Sequence, residues 1–437
     1  MANRLEKLAA HLQVAGSANG AGVDAQLTSM EQKKIFGAVG SQSDDDVVIV
    51  SAKRTAIARA RKGGFKDTTP DTLLKNAFEG VLADSKLDPK EIQDIVVGNV
   101  QMSGAYSMPG RAAAVLAGIP ESAGFVAMNR QCSSGLEAVA TIASKIKSGV
   151  IEVGIGAGVE SMSNGGSPGD VSNMPPMDLN SIFQHPVASQ ALTPMGITSE
   201  NVAAKFGITR EEQDQMAVDS HAKALKAQEQ GWLKDEIIPV TVTVEDADGN
   251  EKEVVIDKDE GPRAGTTMEK LAKLKPAFKE GGSTTAGNAS QVSDGAAAVI
   301  LMSRRKAKEL GMPIKAVFRG YKVVGVPAAI MGIGPAAAIP ACLESTGVSV
   351  SDVDVYEINE AFASQATYCV KKLGIPMNKV NPVGSGISLG HPLGCTGARQ
   401  VATLLNTFKR EHKKLGVVSM CIGTGMGAAA LIENEQQ

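Results

Sequence analysis

The sequence contains few aromatic residues and few cysteines, and both shortages limit what kind of protein it can encode. Phe, Trp and Tyr make up 3% of the 437 residues, whereas there are 47 glycines. The core must therefore be aliphatic, with tight turns and close backbone approaches, a style common among α/β enzymes. The five cysteines are odd in number and include no Cys-x-x-Cys pair. This pattern argues against a disulfide framework or a zinc module and favours an intracellular protein without a metal site.

An excess of one charge is also lacking. The 44 Lys and Arg residues against 47 Asp and Glu give a net charge of −3, which does not indicate nucleic acid or an acidic membrane surface as a partner. We find no apolar run of the ~20 residues that a membrane span requires, so we expect no membrane span. A length of 437 residues exceeds one ordinary core and predicts two or three domains.

From Val47 onward, strand-like and helix-like segments alternate in two successive halves of the chain. This alternation predicts parallel strand pairing in layered α/β domains. A helix predicted to start at Cys132 and one starting at Cys395 share several letters, and each leads to a strand. Glycine-rich runs follow, Gly154–Gly158 and Gly423–Gly427, and both are predicted to be turns. We interpret this similarity as a duplicated domain.

The pattern divides the chain into four parts. Residues 1–46 are predicted to be a leader and a flexible linker, because they are rich in Gly, Ala, Ser and Asp. Residues 47–162 with 291–313 form a first α/β domain, and 314–437 form a second. Residues 163–290 interrupt the alternation with a charged helical region and a hairpin pattern, and long insertions of this kind usually carry binding surface.

Cys132 is the candidate nucleophile. It lies in the run Gln131–Gly135, where a strand ends and a helix begins. The N–H groups and partial positive charge of a helix N-terminus stabilise a thiolate and are expected to lower its pKa. The alternative is a small buried apolar residue, the common role of an intracellular cysteine. The position at a helix start favours the nucleophile.

His391 is the candidate general base, because it alone among five histidines stands in a rigid loop rich in glycine and proline. A structural histidine is the alternative. His221 and His412 are expected to be solvated, whereas His185, in the inserted stretch, stays open as a site residue. Cys395 follows four residues after His391, but no further metal ligands cluster there.

Two further motifs carry polar chemistry. Cys421 adjoins a Gly423–Gly425 turn whose N–H groups can hold an oxyanion, while the thiol can exchange protons. A Gly-x-Gly-x-Gly run without a clear following helix is too weak to indicate a nucleotide site. Asn359 lies where a strand ends, the edge at which ligands of α/β sheets collect. It either fixes a water or oxyanion or caps a helix, and its position leaves these roles evenly matched.

Taken together, these blocks resemble the four signature blocks of the thiolase family. The matching segments are Gln131–Gly135, Asn359–Phe362, Gly390–Pro392 and Cys421–Gly425, and Gly287–Ser290 resembles the family's loop near coenzyme A. The resemblance covers roughly Val47 to Ile432. It implies two similar α/β domains stacked in layers, with a loop domain over the acyl-CoA. It also implies a homodimer that uses coenzyme A as co-substrate and holds no permanent cofactor.

The resemblance further implies an activity and roles for the site residues. Cys132 attacks the 3-keto carbon of a 3-ketoacyl-CoA, His391 takes the thiol proton, and Cys421 protonates the released acetyl-CoA enolate. A second coenzyme A then removes the acyl group. One oxyanion site consists of His391 with a water on Asn359, and the other consists of the N–H groups of Cys132 and Gly423.

Six further residues are implied to bind substrate or coenzyme A: Arg263, Phe278, Ala286, Ser290, Met195 and Phe362. For Arg263, expected near the adenine, a merely solvated charge is the alternative. Proline precedes Met195, where thiolases specific for acetoacetyl-CoA often carry histidine. The sequence thus resembles the broad-range members of fatty acid β-oxidation.

The leader carries Arg4-Leu5 and, after five intervening residues, His11-Leu12. This spacing resembles the N-terminal peroxisomal targeting nonapeptide, whose apolar face an import receptor can bind. A mitochondrial transit peptide is the alternative, but this leader is poor in cationic residues and contains acidic ones. We therefore expect a peroxisomal protein.

Two other functions stay open. A biosynthetic acetoacetyl-CoA thiolase would run the same chemistry as a condensation. A non-catalytic lipid carrier on the same fold would need no nucleophile, and the presence of Cys132, Cys421, His391 and Asn359 argues against it.

Overall fold

The computed structural model describes residues 35–165, 176–245 and 250–436. From Ile35 onward the described chain forms one unit. The residues predicted to contact an import receptor lie outside the described residues: Arg4, Leu5, His11 and Leu12.

Strands and helices alternate along the two halves as the sequence predicts. The strands are β1 (Val47–Thr55), β2 (Ala58–Arg59), β3 (Asp94–Gly98), β4 (Gly124–Met128), β5 (Val153–Ser161), β6 (Ile237–Ile238), β7 (Val240–Glu245), β8 (Glu251–Ile256), β9 (Ser293–Ser303), β10 (Ala316–Gly325), β11 (Val355–Ile358), β12 (Leu415–Ile422) and β13 (Met426–Asn434). The α-helices are α1 (Pro70–Ser85), α2 (Ser107–Leu116), α3 (Ser134–Lys147), α4 (Leu179–Gln184), α5 (Met195–Phe206), α6 (Arg210–Glu229), α7 (Met268–Ala272), α8 (Arg304–Glu309), α9 (Gly334–Thr346), α10 (Ala363–Leu373) and α11 (Leu393–Glu411). Short 3-10 helices span Pro89–Glu91, Ser103–Tyr106, Ala188–Leu192, Ala328–Ile333, Val350–Asp352 and Met377–Lys379.

The main strands pair in the order β11-β12-β13-β10-β1-β9-β5-β3-β4. Strand β3 runs parallel to β4 and β5, and β11 runs parallel to β12. Strands β9 and β13, however, are antiparallel to both of their neighbours. The prediction of parallel pairing is therefore wrong for these return strands. For β13 the reason is its short connection to β12, because a tight turn can join only antiparallel strands.

Two central helices lie between the two halves of this sheet. Helices α3 and α11 pack against each other, and residues such as Leu136 and Val401 share one core with both sheet halves. Helices α1 and α2 cover the outer face of the first half, whereas α9 and α10 cover that of the second. The result is a layered α/β fold of two similar halves. Strands β1 and β10 join the halves through the pairs Val48–Val317 and Ile49–Ala316.

The glycine run Gly154–Gly158 lies inside β5 and is not the predicted turn. Its glycines face the backbones of the central helices. A methyl group added to Gly156 would lie 2.5 Å from the Cα of Val139, and one added to Gly158 would lie 2.0 Å from the carbonyl oxygen of Gly394. Glycine is therefore required here for close packing of strand and helix, not for reversal of the chain.

One helical stretch, Ala328–Thr346, is long and apolar enough to cross a membrane, with a mean hydropathy of 1.3. Our search of the sequence overlooked it. Half of this stretch is buried within the fold, and its longer part, α9, packs on β10 and β13. Such contacts are typical of a core helix in a globular protein.

Candidate active site

Cys132 stands on a sharp turn between β4 and α3. Gln131 has a φ of +49°, a left-handed conformation that is uncommon for a residue with a side chain and is enriched at functional sites. The Ser134 hydroxyl fixes this turn, since it donates to the carbonyl of Gln131 at 2.6 Å and accepts from the N–H of Arg130 at 2.9 Å. Helix α3 begins two residues later than predicted, at Ser134.

Burial raises the pKa of Cys132 to about 11. The backbone N–H groups of Gly423 and of Cys132 itself oppose this rise by donating toward the sulfur, whereas the carboxylate of Glu160 adds to it. The prediction that the helix start lowers this pKa is wrong, because the cysteine precedes the helix and burial outweighs the two donors.

Cys421 and Gly423 lie beside the nucleophile candidate. Cys421 is fully buried near the end of β12. Burial raises its pKa well above the usual range, and the repulsion that a thiolate at neighbouring Cys132 would exert adds to the rise. In the turn that follows, Thr424 and Gly425 have φ values of +69° and +100°. This turn sets Gly423 against the Cys132 turn, where a methyl group on Gly423 would lie 3.6 Å from the Gln131 side chain, so the structure brings these predicted residues together.

His391 is buried in the loop before α11, and its ring is held by a hydroxyl. Thr396 Oγ1 lies 2.6 Å from Nδ1 and donates to the carbonyl of Pro392 at 3.2 Å. Nδ1 must then carry the hydrogen and donate to Thr396, which leaves Nε2 as an acceptor. Burial, together with the nearby charge of Arg399, lowers the pKa of His391 to about 3. The imidazole is therefore neutral and has a lone pair to receive a proton.

Asn359 directly follows β11 and is fully buried. Its Nδ2 lies 3.3 Å from Nε2 and 3.4 Å from Nδ1 of His391. The helix-cap alternative is wrong, because α10 begins at Ala363 and its N-cap is Phe362. Asn359 Oδ1 has no hydrogen-bond partner among the described protein groups. A buried amide oxygen of this kind can accept a hydrogen bond from a small polar molecule.

Glycines bring the His391 loop and the Cys132 turn together. A methyl group on Gly135 would lie 2.6 Å from the carbonyl oxygen of Gly394. His391 precedes Gly394 by three residues and Cys132 precedes Gly135 by three, so this contact sets the two candidates on facing segments. We call the region in which these backbones meet the glycine junction. It comprises five glycines: Gly98, Gly135, Gly158, Gly394 and Gly397.

Three of the predicted substrate-binding residues are apolar and lie at the edge of this site. The Phe278 and Phe362 rings meet edge to face with centroids 6.2 Å apart. Gly196 adjoins the Phe278 ring, and a methyl group on Gly423 would lie 3.7 Å from the Met195 sulfur. Phe278 and Met195 remain 45% and 37% exposed. These side chains form an apolar rim, which reaches Gly423 through Met195.

The loop that contains Ser290 is fastened to the segment that contains Asn359. The N–H of Ser290 donates to the carbonyl of Ala361 at 3.0 Å, and the N–H of Ala363 donates to the carbonyl of Asn288 at 2.9 Å. Ala286 is exposed in the same loop. Arg263 is also exposed, and the structure leaves both interpretations of its guanidinium open.

The remaining histidines differ in burial. His221 is buried rather than solvated as predicted, because its Nδ1 accepts the N–H of Arg263 at 3.2 Å. His412 is exposed, as is His185, whose Nδ1 accepts two local N–H groups. All five cysteines are free. Among residues 35–165, 176–245 and 250–436, no group of three or more His, Cys, Asp or Glu side chains is arranged to hold a metal.

Three residues of the site were missed by the sequence analysis: Thr396, Arg399 and Glu160. Thr396 and Arg399 lie inside a helix, and nothing in its sequence pattern distinguishes them from their neighbours. Glu160 had a signal, because a charged residue within an otherwise apolar, fully buried strand requires hydrogen-bond partners.

Comparison with known proteins shows which protein family has domains like those that contain this site. Residues 47–305 match the family model for the N-terminal domain of thiolase, and residues 312–434 match the model for its C-terminal domain. The chain is 59% identical to the peroxisomal 3-ketoacyl-CoA thiolase A of Rattus norvegicus over 394 residues, which cover 90% of this chain and 89% of the relative.

Solved structures are similar as well. The dimeric peroxisomal thiolase of Saccharomyces cerevisiae matches with a TM-score of 0.83 and 49% identity over 91% of this chain and 99% of its own. The human mitochondrial 3-ketoacyl-CoA thiolase in complex with CoA matches with a TM-score of 0.78 and 34% identity over 89% and 98% of the two chains.

Proposed function

From the premise that this chain belongs to the thiolase family, we propose that it cleaves 3-ketoacyl-CoA through a thioester on Cys132. The enzyme is an acetyl-CoA C-acyltransferase of fatty acid β-oxidation in the peroxisome, like the thiolases of Rattus norvegicus and Saccharomyces cerevisiae that it resembles. The observation that carries the assignment of residues is the packing of the Cys132 turn against the His391 loop, where a methyl group on Gly135 would lie 2.6 Å from the carbonyl oxygen of Gly394 and Asn359 Nδ2 lies 3.3 Å from His391 Nε2.

The first half of the reaction forms the thioester. The Cys132 sulfur attacks the 3-keto carbon while its proton passes to Nε2 of His391. The bond between C2 and C3 then breaks, and its electron pair goes to the acetyl-CoA enolate. Cys421 gives its proton to the enolate carbon, which releases acetyl-CoA. A neutral imidazole whose Nε2 carries the lone pair suits the first proton transfer.

The second half regenerates the enzyme. The thiol of an incoming coenzyme A attacks the Cys132 thioester and loses its proton to the Cys421 thiolate, and the shortened acyl-CoA departs. The His391 imidazolium returns its proton to the Cys132 sulfur as that sulfur leaves. Every proton taken in the first half is thus returned in the second, so the enzyme needs no permanently bound cofactor.

Two oxyanion sites stabilise the charge on the carbonyl oxygens. The N–H groups of Cys132 and Gly423 serve the thioester carbonyl. His391 and a water held by Asn359 serve the carbonyl of the acetyl-CoA portion, and the free Oδ1 of Asn359 supports this role. Each such donor contributes about 3 kcal/mol in the transition state.

The binding surface for coenzyme A is also inferred from the thiolase family. We place coenzyme A along the apolar rim, as a thiolase of the same fold binds CoA. The residues assigned to this surface are Arg263, Phe278, Ala286, Ser290, Met195 and Phe362. The division of the chain after residue 46, with 163–290 as the loop domain over the acyl-CoA, belongs to the same proposal. The prediction of a flexible linker is wrong for residues 35–46, because the Phe36 ring packs on Phe318 and the buried Asp46 pairs with Arg319.

Assembly and targeting complete the proposal. The enzyme is a homodimer, as the yeast thiolase is dimeric. Its import receptor recognises the leader through four side chains: Arg4, Leu5, His11 and Leu12.

A thiolysis assay tests this function. Purified protein is mixed with coenzyme A and 3-ketoacyl-CoAs of several chain lengths, and loss of the 3-ketoacyl absorbance is followed. We expect cleavage across chain lengths. Cleavage of acetoacetyl-CoA alone would contradict the broad-range function, and no cleavage of any chain would contradict the enzymatic function altogether.

A further inference from the structure

Glu160 is a fully buried carboxylate near the end of β5 for which the reaction above has no role. Four N–H groups converge on it. Oε2 accepts from the backbone of Gly394 at 2.9 Å and of Val100 at 3.0 Å. Oε1 accepts from the side chain of Asn99 at 3.1 Å and the backbone of Gln101 at 3.2 Å. Each oxygen is therefore fully used by two donors.

The partners of Glu160 come from both halves of the molecule. Asn99, Val100 and Gln101 follow β3 in the first half, whereas Gly394 is the second residue of α11 in the other half. The N–H of Gly394 has no partner within its own helix, because the first four N–H groups of a helix never do. Glu160 supplies that partner and places a negative charge where the helix dipole favours one.

The glycine junction explains why such a contact is needed. A methyl group on Gly394 would lie 2.7 Å from the Cα of Asn99 and 2.8 Å from the carbonyl oxygens of Gly98 and Val159. The backbones meet there without intervening side chains, so interlocking side chains cannot fix how the His391 loop sits on the first half. A directional contact is required, and the hydrogen bonds of Glu160 supply it.

Activation of the thiol does not explain this carboxylate. A negative charge at Glu160 raises the pKa of Cys132 and so opposes formation of the thiolate. The position of Glu160 is thus unfavourable for a thiolate at Cys132, but it fixes the loop that contains His391. The contact therefore points to a geometric role.

We propose that Glu160 is a positioning residue: its carboxylate fastens the N-terminus of α11 to the end of β3 and thereby holds His391 facing Cys132. The inference rests on the proposed function, because it assigns His391 as the base. Removal of the contact shifts the imidazole, and misplacement by about 1 Å can reduce the rate about 100-fold.

The test variant is Glu160→Gln, which keeps the size of the side chain. One oxygen becomes an NH2 group that faces two N–H donors, so one pair of hydrogen bonds is lost. We expect kcat and the single-turnover rate of Cys132 acylation to fall about 10-fold to 100-fold, with the Kd for coenzyme A unchanged within twofold. The activity that remains should rise with pH, because hydroxide replaces a displaced base. A kcat within twofold of wild type would overturn the proposal.

Glu433→Gln is the matched control. Glu433 is also a buried carboxylate, and it accepts the backbone N–H of Gly40 at 2.9 Å and Arg319 Nε at 2.7 Å. It lies at the end of β13 remote from the turn that contains Gly423. We expect this variant to lose stability and keep kcat. An equal loss of kcat in both variants would show a general effect of buried charge and overturn the proposal.

A second variant, Glu160→Asp, distinguishes the effect of side-chain length from the effect of charge. It can also be used if the glutamine variant does not fold. It keeps the carboxylate but withdraws it by one methylene group. We expect kcat to fall here too, with the affinity for coenzyme A retained, and full turnover would contradict a positioning role. Wild-type protein in the same assay separates the two proposals, since an inactive wild type refutes the proposed function itself.

Discussion

At the scale of single residues, the proposed nucleophile and the proposed base are both in their neutral forms in the free protein. Burial raises the pKa of Cys132 to about 11 and lowers that of His391 to about 3. A thiolate–imidazolium pair is therefore not the resting state. Proton transfer accompanies attack on the substrate, when the N–H groups of Gly423 and Cys132 can stabilise the new charge.

The neutral resting state predicts how the reactivity of Cys132 depends on pH. Iodoacetamide reacts with the thiolate, whose fraction rises about tenfold per pH unit below the pKa. We expect alkylation of the peptide containing Cys132, followed by mass spectrometry, to accelerate about 100-fold between pH 7 and pH 9. A rate that is already constant above pH 7 would show a preformed thiolate and contradict the neutral pair.

The sequence predicted the candidate site residues but not their environment. Cys132, His391 and Cys421 belong to residue types whose chemistry a sequence pattern can indicate, and their roles stay predictions. The pKa of Cys132 and the contacts of Glu160 and Thr396 depend on burial and on groups distant in the chain. No local pattern contains that information, and the expected lowering of the thiol pKa therefore had the wrong sign.

At the scale of elements, backbone packing of α3, β5 and α11 shapes the site. The glycine junction lets the two central helices approach with no side chains between their first turns. A methyl group on Gly397 would lie 2.2 Å from the N of Leu136, and one on Gly158 would lie 2.0 Å from the carbonyl oxygen of Gly394. The two halves can meet at the active site only because these positions are glycine.

Gly158→Ala tests this packing. Its new methyl group meets a backbone oxygen that cannot move aside, so we expect a loss of about 3 kcal/mol in stability and a fall in kcat as His391 shifts. Thermal unfolding and the thiolysis assay measure the two effects. Gly325→Ala is the control, because its methyl group would meet no atom within 4 Å. If both variants behaved alike, close approach at the junction would not matter.

Local elements were predicted better than their pairing. Helix α6 matches the predicted helical region, and the capping box at Thr209 marks its start. The β7–β8 hairpin also lies where alternating residues indicated it. The direction of β9 and the place of Gly154–Gly158 inside a strand could not be read in this way, because both depend on elements packed from elsewhere in the chain.

At the scale of the whole molecule, each half supplies an incomplete site. The first half provides Cys132, and the second provides His391, Asn359, Cys421 and Gly423. Buried ionisable groups are the consequence of assembling the site in the interior between the halves, and they make folding depend on pH.

The dependence of stability on pH between pH 6.5 and pH 5 follows from four buried groups with large pKa shifts. The pKa values of His391 and His221 are lowered to about 3 and about 4, so the unfolded chain binds more protons below pH 6.5. Each then costs about 2 kcal/mol of stability between pH 6.5 and pH 5. Glu160 and Glu357 act in the opposite direction, because their pKa values are raised to about 7 and about 8, and together they offset the two histidines.

We therefore expect nearly equal melting temperatures at pH 5 and at pH 6.5, measured by circular dichroism. His221→Gln should melt higher at pH 5 than at pH 6.5, since Glu160 and Glu357 then outweigh His391. A His221→Gln variant that melts lower at pH 5 would contradict the assigned pKa directions.

The central claim is that Cys132 carries the acyl group, and one measurement tests it most directly. The protein is incubated briefly with a 3-ketoacyl-CoA without free coenzyme A, quenched in acid, digested and analysed by mass spectrometry. We predict an acyl adduct on the peptide containing Cys132, its disappearance on addition of coenzyme A, and its absence in Cys132→Ala. An adduct that persists on another residue in Cys132→Ala would contradict the account.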